Sequence, residues 1–478
     1  MDNGSRLLLA LILLTYAALG VLYALYTPPW QVPDEPAHYN YIRAIAEDGV
    51  LPVMEAGDYD QAYLDLLRDE RFPPDLPIEP LTYEDHQPPL YYLLIAPVYL
   101  LFDGALLPLR LVSVALGVAL LVIAYGLTCT LFPDRPFLAV ATTALVAFLP
   151  QHVAMTAGVN NDALAEVIVG TALWMVVRIA KRSYWSLGLA LGLAVLTKTT
   201  ACVVLPVAIL AMWLRTRREG RPPGWAAQVG QVLLIAALLA GPWLVRNAAV
   251  YGWSDPLGLA RHNSVVEGQF RTAELLADCG WSGLIAQFLR TTFQSFWGQF
   301  GWMAVPFHPP IYLALLLPTG LLAAGFLGWL LDRRRPRLVP VQADGLRLLA
   351  ASALLTLVLY LVYNATFVQH QGRYLFPALI PLALGTALGL EWLLSPHVAR
   401  WAAVGLAGMG VLLVVWGLVY GGLPLVPAGV AFGLAAVIGV AALWPRRGRW
   451  LTLAGLAVGL VALDLYALFW AVVPTLAR

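Results

Sequence analysis

The segment PPLYYLLIAPVYLLF, residues 88–102, decides how many times this chain crosses a membrane. As a single helix it would be about 22 Å long, shorter than the roughly 30 Å hydrocarbon core of a bilayer. Pro97 also interrupts it. Counting this segment as a span would reverse the orientation of every later helix, so its assignment depends on the rest of the sequence.

The composition is that of an integral membrane protein. Of 478 residues, 60% are hydrophobic and 12% are charged, whereas soluble domains carry about 25% charged residues. A net charge of +1 argues against a nucleic-acid partner, which would need a basic surface. The three cysteines form no CxxC pair, so neither a disulfide framework nor a zinc site is indicated.

Apolar windows of about twenty residues recur along the chain and predict an all-α polytopic membrane protein. Thirteen segments are candidate spans if 88–102 is left out. They are residues 7–26, 106–131, 137–157, 162–180, 184–198, 200–214, 228–249, 310–331, 346–367, 374–394, 400–420, 424–444 and 450–472.

The positions of the basic residues favour this count. With a cytoplasmic N-terminus, the loops on the inner side collect 17 of the 29 lysines and arginines, as the positive-inside rule expects. Counting 88–102 as a span would move RTRREGR (215–221) and DRRRPR (332–337) to the outer face. We therefore predict that 88–102 is an interfacial helix on the outer surface of the cytoplasmic membrane.

The same topology gives two long outer loops, residues 27–105 and 250–309. Residues 27–88 hold 14 of the chain's 28 acidic residues. The polar chemistry of the protein is therefore expected at its outer face.

Two adjacent acids, Asp34 and Glu35, lie in the stretch VPDEPAHYNY (32–41), between two prolines and just before His38. Either acid could cap the helix that follows, because an Asp next to proline is typical of a helix N-terminus. A cap does not need two acids, however. A carboxylate fixed at the membrane surface also suits a general base.

A second acidic motif, AGVNNDALAEV (157–167), opens the fourth predicted span. Asp162 could again be a helix cap. Glu166 lies one turn deeper on the same side of the helix, and ionisable residues inside a span are costly and usually functional. The two acids could form an acidic wall opposite Asp34.

Three cations, Lys198, Arg246 and Arg373, lie at the outer ends of separate predicted spans. Each could extend to lipid headgroups. Together they fit a site for an anionic ligand better, and arginine favours bidentate contact with phosphate.

The stretch EDHQPPLYYLL (84–94) places Glu84 and His86 directly before the interfacial segment. A histidine in such a position is commonly a hydrogen-bonding surface residue. No tight ligand spacing such as HExxH is present, so we predict no cofactor. A divalent metal on these His and Glu residues stays open as an alternative, although the spacing does not indicate one.

Several motifs follow one another in the order of a known class. They are PDEPAHYNYIRAIAEDGVLP, HQPPLYYLL, GLALGLAVLTKTT, PWLVRNAAVYGWSDP and GRYLFPALIPL. The series resembles the GT-C class of membrane glycosyltransferases, in particular aminoarabinose transferase and protein O-mannosyltransferase relatives. The PDEPAH and QGRYLFP motifs are also similar to a family of uncharacterised bacterial membrane proteins. The resemblance covers about residues 1–395, which we take as a catalytic module, and leaves 396–478 as C-terminal transmembrane helices.

The resemblance implies a set of site residues. Asp34 and Asp162 match the acids of the class and are the predicted catalytic residues. The predicted substrate-binding residues are Glu35, His38, Glu84, His86, Lys198, Arg246, Arg373 and Tyr374. The implied donor is a sugar on a polyprenyl phosphate. Because the soluble outer domains of some relatives are not seen, the acceptor stays open among glycan, lipid and protein.

The expected chemistry is a single displacement with inversion. Because the leaving group is already a phosphate, one base for the acceptor and cations for the phosphate suffice. A glycosidase would instead need paired acid and base carboxylates across the bond.

Two other classes remain open. A transporter or flippase would place ionisable groups near the midplane, often in repeated halves, and no repeat is visible. A non-catalytic protein of envelope assembly could keep the same fold.

Overall fold

The computed structural model describes residues 3–178, 184–220, 224–266, 268–420, 422 and 424–477. Over these residues the chain is almost entirely helical. In chain order the α-helices are α1 (Asn3–Tyr26), α2 (Glu35–Arg43), α3 (Gln61–Asp69), α4 (Leu90–Leu101), α5 (Leu106–Leu131), α6 (Pro136–Ala147), α7 (Pro150–Thr156), α8 (Asp162–Val177), α9 (Tyr184–Thr197), α10 (Val204–Glu219), α11 (Trp225–Tyr251), α12 (Leu259–Val265), α13 (Thr272–Trp297), α14 (Pro309–Leu331), α15 (Pro340–Thr366), α16 (Leu379–Leu393), α17 (Pro396–Tyr420), α18 (Leu425–Leu443), α19 (Pro445–Tyr466) and α20 (Val473–Leu476).

Shorter segments complete the described secondary structure. Two of them are 3₁₀ helices, Thr199–Val203 and Gly372–Ala378, and two are π-helical, Ala44–Asp48 and Ala467–Val472. Strands β1 (Gln299–Phe300) and β2 (Val305–Pro306) pair in an antiparallel hairpin.

The predicted all-α polytopic class is confirmed, although the count of thirteen spans is not. In the described part of the chain, ten helical segments are long and apolar enough to cross a membrane. A bent pair, α6 and α7, meets at 65° and adds an eleventh if counted as one span. The segments predicted at 162–180 and 184–198 form the shorter helices α8 and α9. Residues 179–180 of the first lie outside the described residues.

Helix α4 corresponds to the segment that decided the count. It has only twelve residues, with Pro97 inside it. One side, including Tyr91, Tyr92 and Ile95, is buried against α2 and the π-helical segment after it. The opposite side exposes leucines such as Leu94 and Leu101. A short helix with one packed side and one exposed apolar side fits a position along the membrane surface.

Helix α13 was not predicted. It occupies nearly half of the second loop, 250–309, and breaks at Gly280, where φ is 65°. Its sequence mixes polar and apolar residues, including Glu274, Asp278 and Arg290, so hydropathy alone does not identify it as a helix. Its C-terminal end lies beside the 3₁₀ helix Gly372–Ala378.

Two apolar clusters organise the packing. The larger one joins the long helices, and its fully buried aromatic residues include Tyr16 and Tyr23. The smaller one joins Met54 and Leu67 of the first loop to Val266 and Phe367. Because the smaller cluster ties the first loop to the ends of α12 and α15, it holds that loop over one end of the helix bundle. We call this end the site end.

Candidate active site

A cavity of about 260 Å³ lies at the site end, beneath the first loop. Of the predicted site residues, Asp34, Glu84, Arg373 and Tyr374 line it. The aromatic side chains on its wall are Tyr59, Tyr83, Phe270, Trp302, Tyr363 and Tyr374. Aromatic faces beside polar groups give the cavity the amphipathic lining that ligand sites commonly have.

Asp34 immediately precedes α2 and has the left-handed backbone conformation, with φ 69° and ψ −4°. Aspartate tolerates this region better than most residues do, yet such conformations often occur at functional sites. The carboxylate does not cap α2. It accepts hydrogen bonds from the Tyr83 hydroxyl at 3.0 Å and from Arg373 Nη2 at 2.6 Å. The carboxylate therefore faces the cavity.

Arg373 is held in place by close backbone packing. Its neighbour Gly372 lies so near α13 that an added Cβ would come within 2.4 Å of the Phe296 nitrogen. The Gly372 amide donates to Ser295 Oγ at 2.7 Å. The Arg373 Nε donates to Gln371 Oε1 at 2.7 Å. Glycine at 372 thus allows the approach that aims the buried Arg373 guanidinium at Asp34.

The charge of Arg373 controls the acidity of Asp34. Burial acts to raise the pKa of Asp34, but the Arg373 guanidinium, together with His38 and the hydrogen bond from Tyr83, outweighs burial, and the pKa lies below its ordinary value. Asp34 is therefore ionised and ready to accept a proton, although a weaker base than a free carboxylate.

This pairing predicts a pH effect. An ionised Asp34 places the acid limb of kcat/KM below the ordinary aspartate pKa of about 3.9. Arg373→Gln removes the charge that opposes burial most strongly, so the acid limb should move upward by about 1–3 pH units. The test is the pH profile of kcat/KM for the lipid-linked donor, measured at a saturating concentration of acceptor. Tyr83→Phe removes a hydrogen bond and no charge, so it should shift the limb less. An unmoved limb in Arg373→Gln would mean that Asp34 is not the titrating base.

Glu35 does not line the cavity, contrary to its predicted substrate-binding role. It is fully buried and forms a bidentate ion pair with Arg110 of α5, with distances of 2.8 and 2.6 Å. It also accepts from the backbone nitrogens of Trp30 and Val159. Arg110 donates further to the carbonyl of Thr27 at 2.7 Å. The pair therefore fixes the chain beside Asp34.

A second ion pair joins the other predicted catalytic acid to a predicted cation. Lys198 Nζ lies 2.6 Å from Asp162 Oδ1, where α9 ends and a 3₁₀ helix begins. Neither residue lines the cavity. His38 is buried with Nδ1 2.9 Å from the Tyr92 hydroxyl. Burial and then the charge of Lys198 lower the pKa of His38 to about 3, so this histidine is neutral.

Glu84 faces the cavity with an unused oxygen. Its Oε2 is buried and has no hydrogen-bond partner among the described residues. Burial, followed by the charge of Asp34, raises its pKa to about 8. A neutral carboxyl group can donate as well as accept a hydrogen bond, which suits contact with a hydroxyl group of a ligand.

Two other predicted site residues lie away from the cavity. Arg246 donates to the carbonyls of Leu51 and Pro52, at 2.8 and 2.6 Å, and so fastens the first loop to α11. His86 is buried against His262, with ring centroids 4.5 Å apart.

Glu166 does not extend an acidic wall, because its Oε2 pairs with His152 Nε2 at 2.9 Å.

The described residues contain no group of three or more His, Cys, Asp or Glu that could hold a metal ion.

Several residues of the site were missed in the sequence. Arg110 had a recognisable signal, since it is a lone arginine in the 26-residue apolar helix α5. Tyr83, Trp302 and Tyr363 had none, because tyrosine and tryptophan are common at membrane interfaces.

Comparisons with known proteins bear on the family and the fold of this chain. Residues 86–245 match the dolichyl-phosphate-mannose-protein mannosyltransferase family. The matched segment is about a third of the chain. No curated protein matches the sequence. Among solved structures, the fold resembles ArnT from Cupriavidus metallidurans bound to undecaprenyl phosphate, with 14% identity and a TM-score of 0.55. That alignment covers 98% of this chain and 77% of ArnT.

The chain has a GT-C fold. The apo structure of ArnT from the same organism aligns equally well, with 15% identity, a TM-score of 0.55, and coverage of 97% of this chain and 76% of ArnT. An Archaeoglobus fulgidus oligosaccharyltransferase aligns more weakly, with 15% identity and a TM-score of 0.44 over 89% of this chain and 53% of its own. The family match and the GT-C fold together support a place in the GT-C class of membrane glycosyltransferases.

Proposed function

We propose that this protein transfers a sugar from a polyprenyl-phosphate donor to an acceptor at the outer face of the cytoplasmic membrane, by single displacement with inversion. The contact between Asp34 Oδ2 and Arg373 Nη2, at 2.6 Å in an aromatic-lined cavity, carries the proposal. It supplies a proton acceptor and a phosphate-binding cation side by side.

In the proposed reaction, Asp34 accepts the proton of the acceptor's nucleophilic group. The nucleophile bonds to the anomeric carbon as the bond from that carbon to the phosphate oxygen breaks. The phosphate leaves with the bonding electron pair and so gains one negative charge. Arg373 stabilises that leaving group, because guanidinium binds phosphate well.

In this proposal the Arg373 guanidinium has two partners, the carboxylate of Asp34 and the phosphate of the donor. With the cavity as described, its Nη2 is bonded to Asp34. A donor phosphate would compete for the same guanidinium and weaken that contact. Because Arg373 is the group that lowers the pKa of Asp34 most, phosphate binding should raise the basicity of Asp34 when the donor is present.

The test is a panel of purified polyprenyl-phosphate sugars. Protein in detergent is incubated with each donor and a delipidated envelope extract as acceptor source, and release of free polyprenyl phosphate is measured. The proposal is supported if at least one lipid-linked donor is consumed while the nucleotide sugar that carries the same sugar is not. Movement of an intact donor across proteoliposomes without release of polyprenyl phosphate would instead indicate the flippase alternative.

Donor binding gives a direct prediction for Arg373. Losing a charge-assisted hydrogen bond costs about 1.5–3 kcal/mol, so Arg373→Ala should weaken donor binding roughly tenfold to a hundredfold. Arg373→Lys should recover only part, because an ammonium group lacks the planar fork. Affinity is measured with a polyprenyl phosphate.

The control for this measurement is Arg290→Ala, since Arg290 is exposed on α13. It should bind like the wild type. If Arg373→Ala also binds like the wild type, the phosphate lies elsewhere.

Topology is tested by thiol labelling in intact cells. In a chain lacking Cys129, Cys202 and Cys279, we expect Asp75→Cys in the first loop to react with an impermeant reagent. Arg334→Cys, between α14 and α15, should react only after permeabilisation. The reverse pattern would put the cavity on the cytoplasmic side.

A further inference from the structure

A second apolar feature lies away from the candidate active site. Helices α14, α15 and α16 enclose a groove of about 870 Å³. Its walls include Leu322, Phe326, Ala353 and Leu382. At the site end it is bounded by Phe296 and Trp297 of α13. From there it runs along α14 toward the opposite end of the bundle.

Both charged residues among the described residues of this groove are arginines, Arg335 and Arg347. They lie where α14 ends and α15 begins, so they mark the end of the groove opposite the site end. Arg333, Arg334 and Arg337 lie in the same connection. We call this the arginine end of the groove.

The guanidinium groups of the two groove arginines differ in their hydrogen-bond partners. The Arg335 guanidinium lies 4.4 Å from the Trp329 ring centroid. Its Nη1 is buried and has no hydrogen-bond acceptor among the described residues. Arg347 Nη1 bonds to Asp344 at 2.8 Å, yet its side chain is 64% exposed. A buried guanidinium nitrogen without an acceptor needs one, since leaving such a donor unsatisfied is costly.

We propose that this groove binds an anionic membrane phospholipid, with its acyl chains along the apolar walls and its phosphate at Arg335 and Arg347. Basic pockets between transmembrane helices at the cytoplasmic side are a recognised form of headgroup recognition. The apolar length fits hydrocarbon chains, and the absence of acidic lining among the described residues fits a negative headgroup. The site is separate from the cavity at Asp34 and does not depend on the proposed reaction.

The experiment compares two phospholipids with identical chains, anionic phosphatidylglycerol and zwitterionic phosphatidylcholine, binding to delipidated full-length protein in detergent. Native mass spectrometry counts the bound lipids. We expect phosphatidylglycerol to bind more tightly. The double variant Arg335→Gln, Arg347→Gln should weaken phosphatidylglycerol binding about 25-fold, at about fivefold for each arginine, and leave phosphatidylcholine binding unchanged. Arg400→Gln, an exposed arginine outside the groove, should have no effect.

A steric pair of variants tests the groove itself. Ala323 lines it, whereas its exposed neighbour Ala324 does not. Ala323→Trp should block phosphatidylglycerol and Ala324→Trp should not, with thermal unfolding in detergent confirming that both fold. Equal binding of the two phospholipids, or an unchanged affinity in the double arginine variant, would overturn the proposal. A third outcome would also overturn it: a polyprenyl phosphate displaces phosphatidylglycerol from the wild type and from the double arginine variant, but does not bind to Ala323→Trp. The groove would then hold the prenyl chain of the donor.

Discussion

Asp34→Asn should lower the turnover of lipid-linked donor by about 10²–10⁴, the usual contribution of a general base. The amide keeps the shape of the carboxylate, and its oxygen can still accept from Tyr83 and Arg373, the two donors that contact Asp34. It cannot take a proton from the acceptor. Donor affinity should therefore be largely kept while the rate falls, which separates a catalytic role from a binding role.

Asp75→Asn is the matched control for this measurement. Asp75 lies in the same loop and is exposed, so its amide variant should turn over donor at the wild-type rate. Folding of both variants is compared by thermal unfolding in detergent. An Asp34→Asn protein that is folded and transfers sugar at the wild-type rate removes Asp34 from the mechanism.

Arg110→Met should produce the largest loss of stability among single variants of the site region. It keeps much of the volume of Arg110 but leaves the buried carboxylate of Glu35 with only the amides of Trp30 and Val159 as donors. Removing one partner of a buried ion pair typically costs about 3–5 kcal/mol. The measurement is the free energy of unfolding in detergent.

The chain offers a matched contrast at Arg43, whose ion pair with Glu79 is partly exposed, with side-chain exposures of 27% and 54%. Arg43→Met should cost no more than about 1 kcal/mol, because exposed pairs contribute little. The double variant Glu35→Gln, Arg110→Met should regain part of the stability by removing the unpaired charge. Equal losses in Arg43→Met and Arg110→Met would contradict the structural role of the buried pair.

The fold class could be predicted from hydropathy and arginine positions because both report directly on the bilayer. The assignment of 88–102 followed from its length and from the positions of the arginines, and the structure has the short helix α4 there. The number of spans could not be fixed, because α6 and α7 bend by 65° and α8 and α9 are short. Helix α13 was missed since its stability depends on packing against Gly372 and its neighbours, which no local pattern records.

The candidate site was predictable in part for a related reason. Asp34 and Arg373 were picked out separately, and the structure places them in contact. Glu35 and Arg246 were picked out by the same criteria of charge and position, yet one is buried against Arg110 and the other holds the first loop. Charge at a helix end shows that a residue needs a partner. Only three-dimensional packing decides whether that partner is the protein or a ligand.

The contact between Asp34 and Arg373 also has a consequence for biosynthesis. The two residues are 339 positions apart in the chain. At about 5–20 residues per second, roughly 17–70 s separate their synthesis on the ribosome. During that interval the first loop has been made, but Arg373, which later forms the ion pair with Asp34, has not. Phe367, against which the apolar residues of the loop pack, is also still missing. The nascent chain therefore cannot carry a complete site until seven of the ten long apolar segments of the described residues have begun to emerge and the ribosome has passed residue 373, so premature termination upstream of that point leaves a membrane fragment without the contact between Asp34 and Arg373.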